Sequence, residues 1–213
     1  MSSSNSKILL IGAPGSGKGS ISKILVDKFK LVHISTGNLF REKIEKDRDF
    51  AEKIQNYVKN GLYVPDEITN DLLSNFISQL PPQTGYILDG YPRTLNQLNF
   101  MNENKIDVDK VFYLQIQLET IVSRLSQRLF CSKCQKSYNL LLAKPKVENT
   151  CDIDGEPLFT RPDDRPEIVK LRIEKFNESV SPIVDFYEKH GKIYYLNVER
   201  SLDEIVSEIE KCL

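Results

Sequence analysis

The sequence predicts an α/β fold, a parallel sheet covered by helices, and three observations carry that prediction. Short β-rich apolar runs alternate with longer helical patterns along the 213 residues, the pattern of strands joined by helical crossovers. The run Ile8-Leu9-Leu10-Ile11 leads through a glycine-rich turn, Gly12 to Ser20, into the helical stretch Ile21 to Phe29. A chain of this length with 40% hydrophobic residues suits one such domain with room for an insertion or two.

Strands are expected at Lys7 to Ile11, Leu31 to Ile34, Tyr86 to Leu88, Val111 to Ile116 and Ile193 to Leu196. Ser35-Thr36-Gly37 is expected to cap a helix through Phe40 and Ile44. Further helical patterns cover Asp66 to Ser78, Thr94 to Asn102, Leu118 to Leu129, Glu167 to Lys189 and Leu202 to Cys212, with Pro182 expected to kink or interrupt the long one. Two stretches break the rhythm, a helical excursion over about 35–64 and a Cys-, Pro-, Gly- and Asn-containing piece over about 127–164. Structureless connections of such length are uncommon in a compact domain, so both read as inserted pieces that cover a substrate.

The glycine-rich turn reads Gly12-Ala-Pro-Gly-Ser-Gly-Lys-Gly-Ser20. A polyphosphate needs several N–H donors converging on one spot, and glycines let the backbone approach without Cβ clashes. The following helix adds its positive end, Lys18 a point charge, and Ser20 a hydroxyl one position later than in the generic phosphate loop. In open α/β sheets ligands gather at the carboxyl ends of strands, where Lys18, Thr36 and Asp89 all fall.

Lys and Arg total 29 against 30 Asp and Glu, a net charge of −1, which provides no electrostatic reason to expect nucleic acid or a membrane surface as partner. A small-molecule substrate is the expectation. The start, Met1 to Ser6, has neither a signal nor a transit pattern, so the default compartment is the cytosol. There thiols stay reduced, and the four cysteines read first as metal ligands.

Taken together, Gly12 to Ser20, Ile34-Ser-Thr-Gly-Asn-Leu-Phe-Arg41, Leu88-Asp-Gly-Tyr-Pro-Arg-Thr94 and Thr160-Arg-Pro-Asp-Asp164 resemble adenylate kinases of the long-lid type, over nearly the whole chain. The resemblance implies a P-loop three-layer α/β/α core with five parallel strands, formed by residues 1–34, 65–126 and 165–213. It also implies a nucleoside monophosphate-binding piece over 35–64 and a lid over 127–164. The implied activity is reversible, Mg²⁺-dependent phosphoryl transfer from ATP to AMP, giving ADP, in a cytoplasmic monomer.

Two polyanions must meet in such a reaction, and guanidinium forks suit their oxygens. The resemblance places Arg41 and Arg93 on the AMP phosphate, Arg128 on the ATP side, and Arg161 and Arg172 at the reacting groups. Arg124 joins Arg128 on the ATP side; four residues apart, the two would project from one helix face. The phosphate loop contributes Gly15, Ser16, Gly17, Lys18, Gly19 and Ser20. By the same resemblance Asp89 holds the water shell of Mg²⁺, the alternative being a turn-forming Asp-Gly. Asp163 and Asp164 resemble an acidic pair that acts in lid closure; they could equally cap the helix near Pro166. No general base is required, since a monophosphate oxygen is already ionised near neutral pH.

Base choice should rest on Thr36 and Gln97, whose amide offers one donor and one acceptor to adenine; a solvated helical Gln97 is the alternative. The family further suggests AMP contacts from Leu62, Tyr63, Val64, Gly90, Tyr91 and Pro92, and ATP contacts from Ser137, Tyr138 and Arg200. His33 and His190 read as structural or exposed.

Cys131-Ser-Lys-Cys134 followed by Cys151-Asp-Ile-Asp154 brings three thiolates and a carboxylate together as two paired corners, which a structural, tetrahedral Zn²⁺ requires. The pattern resembles the zinc-bearing lid of some adenylate kinases. A redox Cys pair and uncoordinated thiols are the alternatives, and Asp152 competes with Asp154 for the fourth place. Cys212 reads as an ordinary helix residue. Two positions depart from the family pattern: Ser20 replaces a common threonine, and Asn38 stands where aspartate is common. Rival readings are another nucleoside monophosphate kinase and a zinc-binding nucleotide sensor.

Overall fold

The computed structural model describes residues 5–213; most of the opening segment read above for a targeting signal, residues 1–4, lies outside the described residues. Five parallel strands form the central sheet: β1 (Lys7–Gly12), β2 (Val32–Ser35), β3 (Tyr86–Asp89), β4 (Lys110–Gln115) and β7 (Ile193–Asn197). Their order is β2-β3-β1-β4-β7. The chain leaves β1 toward one edge of the sheet and β4 toward the other, which opens a crevice at their carboxyl ends.

Strand β1 shows why the sheet sits where it does. Ile8 and Leu10 point into one helical layer with Ile21 and Leu25 of α1 (Lys18–Phe29) and with Ile205 and Ile209 near the C-terminus. Leu9 and Ile11 point into the other layer, with Leu73, Leu98 and Ile183. All four strand residues are buried, as a parallel strand covered on both faces requires. Between β2 and β3 lie α2 (Thr36–Lys46), α3 (Arg48–Lys59) and α4 (Asp66–Ser78). Phe40, Ile54 and Val64 form a separate small cluster there.

After β3 come α5 (Leu95–Glu103), β4 and α6 (Leu118–Ser126). A small antiparallel ribbon follows, β5 (Arg128–Phe130) paired with β6 (Ser137–Asn139). Its own cluster, Leu129, Cys131, Tyr138, Cys151 and Leu158, is small. A short 3-10 turn at Pro162–Asp164 leads to α7 (Pro166–Lys189), and α8 (Leu202–Cys212) follows β7. Cys212 packs at the margin of the α1 and α8 layer.

Several expected elements shift. The helix expected over Leu118 to Leu129 ends at Ser126, because Arg128 to Phe130 pair with Ser137 to Asn139. Arg124 and Arg128 therefore do not share a helix face. Pro182 does not interrupt α7; the missing N–H is offset by Val180, Ile183 and Tyr187, which pack the helix onto the core. Ser35 makes no side-chain cap at α2, and the Thr36 hydroxyl instead donates to the Gly90 carbonyl at 2.9 Å. Neither Asp163 nor Asp164 caps α7, whose flanking residue is Arg165.

Leu25 is fully buried and ties α1 to the sheet beneath the glycine-rich turn. Leu25→Ala should cost about 3 kcal/mol of unfolding free energy through the lost burial and the cavity left behind. Ser201→Ala, which removes the capping box of α8, should cost about 1 kcal/mol. Urea unfolding of the two variants gives both values.

Candidate active site

Every nucleotide-site residue expected from the sequence lines one cleft of about 1010 Å³ over the carboxyl ends of the strands. The glycine-rich turn forms its floor. Gly17 adopts φ 92°, a left-handed conformation that favours glycine, and α1 begins at Lys18 with no side chain capping it. No side chain takes the first-turn N–H groups, as an anion site at a helix start requires. Lys18 donates its Nζ to the carbonyls of Gly12 at 2.7 Å and Ala13 at 3.0 Å. Burial pushes the Lys18 ammonium down to about 8; Asp89 opposes this, while Arg93, Arg172 and Arg128 add to it.

The arginines come from distant parts of the chain. Arg128 meets Asp164 with two bonds, Nε to Oδ2 at 2.7 Å and Nη2 to Oδ1 at 2.5 Å. The Asp164 side chain is wholly buried and also stands 3.4 Å from Arg172. Arg172 pairs in addition with Asp163 at 2.8 Å. Arg93 donates to the Gly90 carbonyl at 2.7 Å and lies over the Tyr63 ring, 5.4 Å from its centroid. Gly90 adopts φ 83°, a left-handed conformation that favours glycine, and a Cβ there would come within 2.8 Å of that guanidinium. Arg41 bonds Asn38 and Gln135, and Arg161 bonds Ser137. Burial lowers Arg41 to about 10 and takes Arg161 well below the ordinary guanidinium range, with neighbouring arginines contributing. Arg124 points elsewhere, donating to the Val198 carbonyl at 2.7 Å. Arg200, at the cleft margin, bonds Glu208 and the Asn197 carbonyl.

Asp89 ends β3, and its carboxylate lies 3.3 Å from the His33 Nε2. Burial would raise the Asp89 carboxyl, but the hydrogen bond to His33 and the charges of Lys18, His33 and Arg93 hold it below its ordinary value. The sequence reading missed this histidine partner. Its only signal was the alternation that places His33 two residues before Ser35 on a strand ending at the cleft. Gln97 is 2% exposed, which rules out a solvated side chain. Its Oε1 accepts from the Arg93 N–H at 2.7 Å and its Nε2 donates to Asp66 at 2.8 Å. Thr36 is equally buried.

Around the β5–β6 ribbon the ligand atoms of Cys131, Cys134, Cys151 and Asp154 all lie within 4.8 Å of one another. Asp152 stands outside this group, engaged with Lys136 and the Lys146 N–H.

A cleft that gathers a glycine-rich turn, Asp89 and arginines from separate segments presents the donors and charges that phosphate-bearing ligands require. The family model described as Adenylate kinase matches residues 10–192. The chain belongs to the adenylate kinase family. The adenylate kinase of Mesomycoplasma hyopneumoniae strain J is 68% identical over 210 residues, covering 99% of each chain. That of Fervidobacterium nodosum is 40% identical over 203 residues, 93% of each chain. That of Malacoplasma penetrans is 39% identical, covering 96% of this chain and 94% of its own. The reaction of this adenylate kinase is reversible phosphoryl transfer between ATP and AMP, which yields two ADP and serves adenine nucleotide balance. Adenylate kinases use Mg²⁺ with ATP.

The Lys18 environment sets a pH dependence. Below pH of about 8 the free enzyme carries Lys18 charged, and above it neutral. Bound polyphosphate favours the charged form, so binding above that pH takes up a proton and weakens by up to about tenfold per pH unit. Calorimetry of ATP binding at alkaline pH, in buffers of different ionisation heat, should show this uptake, and Lys18→Met should abolish it.

Proposed function

We propose that this adenylate kinase accelerates transfer by positioning and electrostatics alone, with no protein general base. The observation that carries the reading is the convergence of Lys18, Arg41, Arg93, Arg128, Arg161 and Arg172 on one cleft, outnumbering Asp89, Asp163 and Asp164. Polyanions neutralise the excess, and the low dielectric of a closed cleft strengthens each contact. The loop from Gly15 to Ser20 receives the ATP phosphates, Arg41 and Arg93 the AMP phosphate, and Arg128, Arg161 and Arg172 the moving phosphoryl group. Before ligands arrive, Asp163 and Asp164 hold Arg128 and Arg172 in place. Arg124 supports the ATP side through the Val198 carbonyl rather than by touching phosphate.

Gln97 retains one lone pair and one N–H beyond its bonds to Arg93 and Asp66, and that oriented pair suits an adenine edge. Thr36, Leu62, Tyr63, Val64, Gly90, Tyr91 and Pro92 line the same AMP side; Ser137, Tyr138 and Arg200 border the ATP side. Residues 35–64 and 127–164 act as covers on a core of residues 1–34, 65–126 and 165–213. The separate small clusters of the two covers support this division. Asp89 and the Ser20 hydroxyl are suited to the hydrated Mg²⁺ of ATP, which supplies charge neutralisation at the phosphates.

The lid holds a structural Zn²⁺ in this reading. Tetrahedral thiolates around zinc stand about 3.8 Å apart. Cys134 and Cys151 are 3.4 Å apart and Cys131 is 3.4 Å from both Asp154 oxygens, so the donor set and its spacing fit. Four protein ligands leave no open position, and the metal would brace a ribbon with little core of its own. Cytoplasmic reducing conditions suit these thiols, and a monomer suits a cleft completed by one chain. Among the described residues no helix is long and apolar enough to cross a membrane.

A coupled assay of ADP formation tests the reading. Lys18→Ala and Arg93→Ala should each lower kcat at least about 10²-fold, the scale seen when one charge-stabilising donor is removed, with the far-ultraviolet spectrum unchanged. A loss under threefold would overturn the assignment. Metal analysis should find one zinc per chain, reduced in Cys151→Ser and Asp154→Ala and retained in Asp152→Asn. Chelation should lower the melting temperature by roughly 5 °C or more.

A further inference from the structure

The ring of Phe130, in β5 and 7% exposed, carries two guanidinium groups from separate parts of the chain. Arg161, just beyond the ribbon, lies 4.0 Å from the ring centroid, and Arg41 of α2 lies 5.4 Å from it. Arg41 also donates its Nε to Gln135 of the same ribbon at 3.3 Å. The Nε of Arg161 is buried with no hydrogen-bond partner, and no carboxylate pairs with either guanidinium among the ion pairs of the described residues. Two cations so close repel, and in a desolvated site that repulsion is strong. Asp163 opposes it at both guanidiniums and Asp164 at Arg161, without an ion-pair contact to either, and the negative face of the Phe130 ring is the group that lies against both.

We propose that Phe130 is a positioning residue for phosphoryl transfer, an aromatic platform that holds Arg41 and Arg161 together and couples AMP-phosphate binding to the seated lid. The inference rests on the reading of Arg41 as an AMP-phosphate group. When the lid ribbon is in place, the ring orders Arg41 ahead of AMP; when the ribbon swings away, Arg41 loses both the ring and Gln135. A leucine would fill the same volume and keep the ribbon apolar, yet it has no π face. The two guanidiniums would then separate, and AMP would have to order them.

Steady-state kinetics on the full chain reads this directly. Phe130→Leu should raise the KM for AMP about tenfold, with a smaller change in kcat and in the KM for ATP, and Phe130→Tyr should return it to within about twofold of wild type. Gln135→Ala should move the AMP KM in the same direction. Because Phe130→Leu could loosen the ribbon for steric reasons, mono-, di- and trifluorophenylalanine at position 130 provide a shape-conserving series. The AMP KM should climb stepwise with fluorination while the melting temperature stays level, and a flat series would overturn the proposal. A double-mutant cycle with Arg41→Ala separates the failures. If Arg41→Ala raises the AMP KM and Phe130→Leu acts undiminished in its background, the platform is wrong and the role of Arg41 stands. If Arg41→Ala leaves the AMP KM unchanged, the role of Arg41 is wrong and the platform falls with it.

Discussion

Asp164, with its side chain fully buried, accepts two bonds from Arg128 and stands beside Arg172, and much of the cleft depends on this carboxylate. A polyanion site has to exist before its ligand arrives, which means keeping like charges together out of water. Bulk solvent would let the arginines disperse; a cleft of low dielectric punishes both their repulsion and their desolvation. Asp163 and Asp164 answer at Arg128 and Arg172, and carbonyl oxygens answer at Lys18, Arg93 and Arg124. Aromatic rings answer at Arg93, Arg41 and Arg161. The carbonyl and ring partners are neutral, so a cation that leaves them strands no buried carboxylate, whereas Arg128 and Arg172 are tied to Asp164 and Asp163.

The sheet makes this crowding possible. Parallel strands end on one side, and their register sets Ser35 level with Asp89 and Leu10 level with the same residue. Short connections at that edge therefore place the phosphate loop, Asp89 and Thr36 within one crevice, above the two hydrophobic clusters that cover the faces of the sheet. The segment that carries β5 and β6 is the opposite case. It has a few buried side chains and many exposed apolar ones, Leu141, Leu142, Val147, Ile153 and Phe159 among them. A hairpin of that size has little hydrophobic stabilisation to draw on, and the clustered Cys131, Cys134, Cys151 and Asp154 offer a crosslink in its place.

Local patterns account for most of what could be read in advance. The apolar runs of β1 and β4 are buried on both faces, the glycines stand where the chain must turn sharply, and Cys-x-x-Cys and Cys-x-x-Asp are knuckles closed within a few residues. The misreadings share one cause. Leu118 to Leu129 is a continuous helical pattern, but Arg128 is claimed by a hairpin partner eleven residues away and by a buried aspartate 36 residues away. Likewise Ser35 and Thr36 look like a helix cap, while a carbonyl 54 residues away takes the Thr36 hydroxyl. Local propensity lost to tertiary partners in both places.

The chain by itself determined the α/β class, the phosphate loop, the family and the identity of the charged and thiol groups, because each is encoded in short-range spacing. Only the tertiary structure decided which partner each group meets. It paired His33 with Asp89, separated Arg124 from Arg128, set Asp154 rather than Asp152 among the cysteines, and slid Phe130 beneath Arg41 and Arg161. These are contacts across tens of residues, and their energies depend on burial and distance, which no local pattern contains.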